Sequence, residues 1–243
     1  MVNLLPPNSI LKRLIGDGKL PGNASAILDL VQQNASLDEI KLATTHEDLF
    51  NLGNIVEKHA KNVKSQPGLF VARSIFRLSA SLGNLNGKFK YANALFECKF
   101  TEFTPNESIK MGQSILKELV LLNHPGALYA MALNSIAKKN TSDAYYYMKR
   151  SADLGFPLAN FQVGNWYRTG EIKGVDNLKA FKYIEKAHES GIPEATFLLA
   201  GFYQSGVGIP SGVPDLPKTQ QLYIEAAKSG IKSSNTRTFS RTT

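Results

Sequence analysis

The sequence is short of the residues that most chemistry needs. A single cysteine, Cys98, excludes an intramolecular disulfide framework and any zinc cluster built on cysteines. The four histidines, His46, His59, His124 and His188, form no pair at i, i+4 spacing, so the H-E-x-x-H metal helix is missing. The patterns G-x-x-x-x-G-K-[ST], G-x-G-x-x-G and G-x-S-x-G are all absent. No apolar run approaches the roughly 20 residues that a membrane-spanning helix requires. Acids are the minority charge, with 20 Asp plus Glu against 28 Lys plus Arg and a net charge of +8. That balance admits nucleic acid, anionic lipid or an acidic protein as partner.

What is present describes a folded chain. Of its 243 residues 43% are hydrophobic and 20% charged, too apolar for disorder throughout and long enough for a repeat array. The two ends differ from the rest. Residues 231–243 hold Lys232, Arg237 and Arg241, no acid and many Ser and Thr, the composition of a solvated basic tail. Residues 1–47 read as an N-terminal helical cap or extension. Ile10, Leu11, Leu14 and Ile15 line one side of a short helix, with Lys12, Arg13 and Lys19 against the lone Asp17. That basic helix also has the character of a mitochondrial transit segment, whereas Pro6, Pro7, Lys12 and Arg13 interrupt any secretory signal.

Between the ends the chain repeats itself. Residues 151–159 (SADLGFPLA) and 187–195 (AHESGIPEA) each join a helix end, a glycine, an apolar residue, a proline and a new helix. Glycine supplies the left-handed stop, and proline fits the next first turn, where its missing N–H has no partner to lose. Aligned on Gly155 and Gly191, the copies share Ala144 and Ala180, then Tyr147 and Tyr183, expected to be buried. After the turn they share Ala159 and Ala195, Gly164 and Ala200, and Trp166-Tyr167 and Phe202-Tyr203 on one helical stripe. Weaker copies place Ala92 and Ala132 at the same small position, and Asn123, which tolerates the left-handed conformation, where others have glycine. Starts at 48, 87, 127, 159 and 195 predict about five helix hairpins over 48–230. Small side chains at a fixed offset let paired helices approach closely. The glycines at 201, 206, 208 and 212 read as a loop between helices.

The run A-x3-[LV]-[GA]-x-[WF]-Y-x2-G, followed by K-A-x2-Y-x3-A-x3-G-x-P-x-A, resembles the Sel1-like repeat family, with residues 159–195 the best match and 48–127 a loose one. The resemblance implies an all-α, right-handed superhelix: a solenoid of antiparallel helix hairpins. It also implies a non-enzymatic scaffold or adaptor for multiprotein complexes, with no cofactor and no metal. The disulfide-bearing secreted branch is not indicated, and an intracellular place, cytoplasmic or mitochondrial, is expected.

The candidate contacts are the residue types that dominate binding hot spots: Tyr145, Tyr146, Trp166, Arg168 and Tyr203. Trp166 and Tyr203 also sit on the stripe expected to form the core. His46-Glu47-Asp48 reads as a helix opening, and Cys98 as a packed thiol without an activating base. Other proteins are the expected partners. The alternatives are a mitochondrial assembly factor of the same scaffold type, resting on the basic N-terminal helix, and an RNA-binding helical-repeat protein, resting on the basic charge and a period near 35 residues.

Overall fold

A computed structural model describes residues 22–32, 37–97 and 103–229. The basic N-terminal segment, Cys98 and the tail lie outside the described residues. Those described carry twelve helices and no strand, as the all-α reading expects. The chain divides after Leu122 into two compact units. The first holds α1 (Ala24–Gln32), α2 (Leu37–Ala43), α3 (His46–Asn62), α4 (Gln66–Ser81), α5 (Leu85–Phe96) and α6 (Pro105–Leu121). The second holds α7 (Pro125–Ala137), α8 (Thr141–Asp153), α9 (Pro157–Thr169), α10 (Asn177–Glu189), α11 (Pro193–Ser205) and α12 (Leu216–Lys228). From α3 to α6, and again from α7 to α12, each helix packs on the next.

The helix ends follow from residue chemistry. Thr45, Ser65, Asn84, Thr104, Asn140, Asp176 and Asp215 each accept, through the side chain, an N–H three residues on. Thr104 and Glu107 complete a reciprocal capping box. Pro105, Pro125, Pro157 and Pro193 open their helices. At the far ends Gly155 and Gly191 adopt φ of 85° and 79°, and Asn123 takes φ 57°, as their place in the repeat implies. The Phe156 N–H then reaches back to the Ser151 carbonyl at 3.1 Å, and the Ile192 N–H to that of Ala187 at 3.1 Å.

Between α7 and α8 the same device is built without glycine. Lys139 is left-handed at φ 58°, and the Asn140 N–H bonds the Ser135 carbonyl at 2.9 Å. A Cβ in that conformation is sterically costly. Lys139→Gly is therefore expected to raise stability by up to about 1 kcal/mol, and Gly155→Ala to lower it by about the same amount, read from urea denaturation midpoints.

The α7 N-terminus depends on a titratable cap. His124 is buried and its Nδ1 accepts the Ala127 N–H at 3.3 Å. Burial pushes the imidazole below its ordinary pKa. The unfolded chain therefore binds this proton more tightly than the folded one. Its contribution to stability is complete above the ordinary value of about 6.5 and is lost as pH falls from there through the lowered value of the folded state. His124→Asn retains an acceptor without a charge, as Asn84 and Asn140 do elsewhere. The variant is expected to lose less stability than wild type between pH 8 and pH 5, followed by denaturation midpoints.

Small residues set the helix crossings. The eighth residue of the first helix in each hairpin is Gly53, Ala92, Ala132, Gly164 or Ala200, all buried. A Cβ on Gly164 would lie 2.8 Å from the Ile184 side chain and 3.1 Å from its backbone nitrogen, so only hydrogen fits there. In two hairpins a buried serine ties the second helix to the start of the first. The Ser79 Oγ donates to the His46 carbonyl at 2.7 Å, and the Ser151 Oγ to that of Pro125 at 2.7 Å. Ala187 and Ala226 hold the matching place in the later hairpins. Tyr147 and Tyr183 depart from the expected burial: both are half-buried, and Met148 and Ile184 beside them are fully buried. The stripe through Ala144, Met148 and Ala152 runs at i, i+4, i+8, which leaves each tyrosine at its edge. His46 opens α3, where Asn84 Nδ2 donates to Glu47 at 2.8 Å.

Candidate partner-binding site

The second unit carries a cleft of about 360 Å³ formed by the C-terminal end of α9, the middle of α11 and α12. Its apolar wall is Phe197, Leu198, Phe202 and Tyr223, with Phe197 and Tyr223 ring centroids 5.3 Å apart. The Tyr223 hydroxyl donates to Gln204 Oε1 at 3.0 Å across the rim. Arg168 closes the α9 side. Its Nε and Nη2 both donate to Asn165 Oδ1, at 3.2 and 2.8 Å, which fixes the guanidinium plane against its own helix. That leaves Nη1 without a protein acceptor among the described residues, in a form suited to a carboxylate.

Only Arg168 of the five candidate contacts lines this cleft. Trp166 is 3% exposed and lies in the core with Met148, Phe181, Ile184 and Leu199, so packing is its place here. Tyr145 is half-buried and shares a 2.7 Å hydroxyl bond with Tyr167 of the next hairpin. Tyr203 makes the matching contact one hairpin on, edge-on to Phe181 at 5.8 Å. Burial pushes the Tyr203 phenol above its ordinary pKa, with Glu185 and Asp215 adding to the shift. Tyr146 is 53% exposed and accepts from Arg150 Nη1 at 2.7 Å. Phe197, Leu198 and Tyr223 escape a reading of the sequence because each sits in the hydrophobic pattern of its helix. Gly201 also lines the cleft, and it lies inside α11 rather than in the loop expected of it. The later glycines, Gly206, Gly208 and Gly212, do form that loop, each with positive φ.

A second surface runs between α8 and α10. Tyr167 stacks on Tyr183 at 6.1 Å and 12°, and lysines sit over the rings: Lys173 over Tyr145 at 4.9 Å, Lys179 over Tyr167 at 5.3 Å and Lys149 over Tyr183 at 5.5 Å. Burial pushes the Lys149 ammonium down, but hydrogen bonds with Asp153 and Tyr183 outweigh it and hold the group above its ordinary range. Lys149 pairs with Asp153 at 2.5 Å and Lys179 with Asp176 at 2.9 Å. The position held by Lys149 in α8 is taken by Glu185 in α10 and by Ile224 in α12, so the cation does not recur along these hairpins.

Paired helices of near-constant length, glycine-stopped turns and a small residue at every crossing define a helix-hairpin repeat protein. The repeat is Sel1: residues 125–156, 157–191 and 193–231 each match the Sel1 repeat, one match for each hairpin of the second unit. Three consecutive Sel1 repeats thus make up this part of the chain. Two solved structures share the fold. A protective antigen of uropathogenic Escherichia coli strains displaying an SLR fold is 18% identical with a TM-score of 0.55, over 84% of this chain and 44% of that one. Immunity protein Pa5087 from Pseudomonas aeruginosa is 17% identical with a TM-score of 0.53, over 92% of this chain and 84% of that one. A Sel1 repeat protein from Oxalobacter formigenes is 23% identical with a TM-score of 0.46, over 50% of this chain and 92% of that one. No curated protein matches the chain by sequence. Among the described residues, no helix is long and apolar enough to cross a membrane.

Proposed function

We propose that this chain is a non-enzymatic scaffold that holds other proteins together. The observation that carries the reading is the tandem Sel1 array, a fold that typically mediates protein–protein contact, with an open cleft on its last two hairpins. Stacked hairpins bury their core between neighbours and leave side chains along the stack for a partner, with no reaction centre required. The lysines of the surface between α8 and α10 are paired with acids, Lys149 with Asp153 and Lys179 with Asp176, which favours protein over nucleic acid, because phosphate backbones call for a continuous cationic track. The test is crosslinking in the protein's own cells followed by affinity capture and mass spectrometry. A reproducible set of proteins, enriched over an unrelated bait, is the expected result. Recovery of RNA with no enriched protein, or turnover of a small molecule by the purified chain, would overturn the proposal.

A further inference from the structure

One residue of the cleft has no explanation in the packing. Gly201 is the ninth residue of α11, well inside the helix. Its backbone needs no glycine, since it is not among the positive-φ residues. The space does not need one either: a Cβ built at Gly201 would meet nothing within 4 Å. This sets it apart from Gly164 and Gly53, where a Cβ would come within 2.8 and 2.7 Å of the facing helix. The same position is Leu133 in α7 and Asn165 in α9, so the repeat accepts a large side chain there. Only proline is a poorer helix former than glycine, and α11 carries this one without a return in close packing.

Gly201 does have an effect on the cleft. It leaves bare backbone in the lining that it shares with Phe197, Leu198 and Phe202, where a side chain would otherwise project into open space. On the facing wall is Arg168, oriented by Asn165 and with Nη1 unpartnered among the described residues. An apolar recess beside an oriented guanidinium is complementary to a bulky apolar group with a carboxylate close by.

We propose that this cleft receives a segment of a partner protein in which an aromatic or branched aliphatic side chain sits over Gly201 and a neighbouring Asp or Glu pairs with Arg168. The inference rests on the scaffold reading and supplies the chemistry of the segment that is bound. Recognition then divides between two elements: α11 provides the depth and α9 the charge.

The probes are fluorescein-labelled peptides in a Gly-Ser frame, bearing Phe-Asp-Asp, Phe-Lys-Lys or Ala-Asp-Asp, together with a single-stranded RNA homopolymer. Fluorescence anisotropy with the full chain should show binding of the Phe-Asp-Asp peptide, and about tenfold or greater loss for each of the other two peptides. Arg168→Gln should weaken binding by a similar factor, and Gly201→Leu should abolish it. Gly201→Ala is the discriminating variant, expected to raise the denaturation midpoint through better helix propensity while weakening the peptide. A purely structural role for Gly201 would not move stability and binding in opposite directions. Lys182→Gln, on the exposed side of α10, should leave binding unchanged.

No binding of the Phe-Asp-Asp peptide at about 1 mM, equal binding by Gly201→Leu, or preference for the RNA would each overturn the inference. The scaffold reading is separable. If Gly201→Leu retains the protein set recovered by crosslinking in cells, the cleft fails and the scaffold stands. If the wild-type chain recovers no such set, the scaffold itself fails.

Discussion

Gly164→Val is expected to destabilise the second unit by about 3 kcal/mol. The reason is the approach of α9 to α10. The Ile184 Cδ1 and Cγ1 lie 2.8 Å from the place a Cβ would occupy, and the Ile184 backbone nitrogen lies at 3.1 Å. The side chain can turn away, but the backbone can yield only by parting the helices. Gly164→Ala should cost less, about 1–2 kcal/mol, because the facing side chain absorbs part of the overlap. Ile184→Val removes the terminal methyl and should restore part of the loss, giving a coupling of about 0.5–1 kcal/mol in a double-mutant cycle. Urea denaturation of the four proteins measures it. Additive effects within error would show that the two residues do not share the contact. The same Gly→Ala change at Gly201 is expected to carry the opposite sign, since open space stands where Ile184 stands here.

Trp166→Ala should cost about 3–5 kcal/mol, as expected for a large aromatic group removed from a packed interior. The indole is 3% exposed in the cluster that also holds Phe181, Ile184, Leu199 and Phe202. As the chain's lone tryptophan, it gives wild-type fluorescence that reports the second unit alone. The variant is followed by far-UV circular dichroism instead. Trp166→Phe should retain most of the stability. A loss below about 1 kcal/mol on Trp166→Ala would mean that the ring is not part of the core and would return it to the candidate contacts.

Features with a local steric cause were legible in the sequence. The turns at Gly155 and Gly191 need a left-handed residue, few residue types supply one, and the copies therefore share the glycine. Asn123 could be read the same way. The small residue at each crossing was legible because close backbones admit only Gly or Ala. Lys139 shows the limit, since its turn reaches the same conformation without the residue that announces it. Tyr147 shows another: periodicity gives the buried face but not which of two adjacent residues stands at its centre. The cleft was least legible, because its walls come from α9, α11 and α12. Arg168 was reached by residue type alone. Gly201 was obscured by the glycines that follow it, and its meaning depends on what stands opposite a missing Cβ.

The serines that tie Ser79 to His46 and Ser151 to Pro125 have no counterpart at Ala226 in the last hairpin. There, the side-chain bond between α11 and α12 is the one from Tyr223 to Gln204, and both residues belong to the cleft wall. A group that wedges into that wall stands against the bond that fastens the final helix onto its mate. A segment seated there is therefore expected to change how fast the amides of α12 exchange with solvent, including those on the side turned away from the visitor.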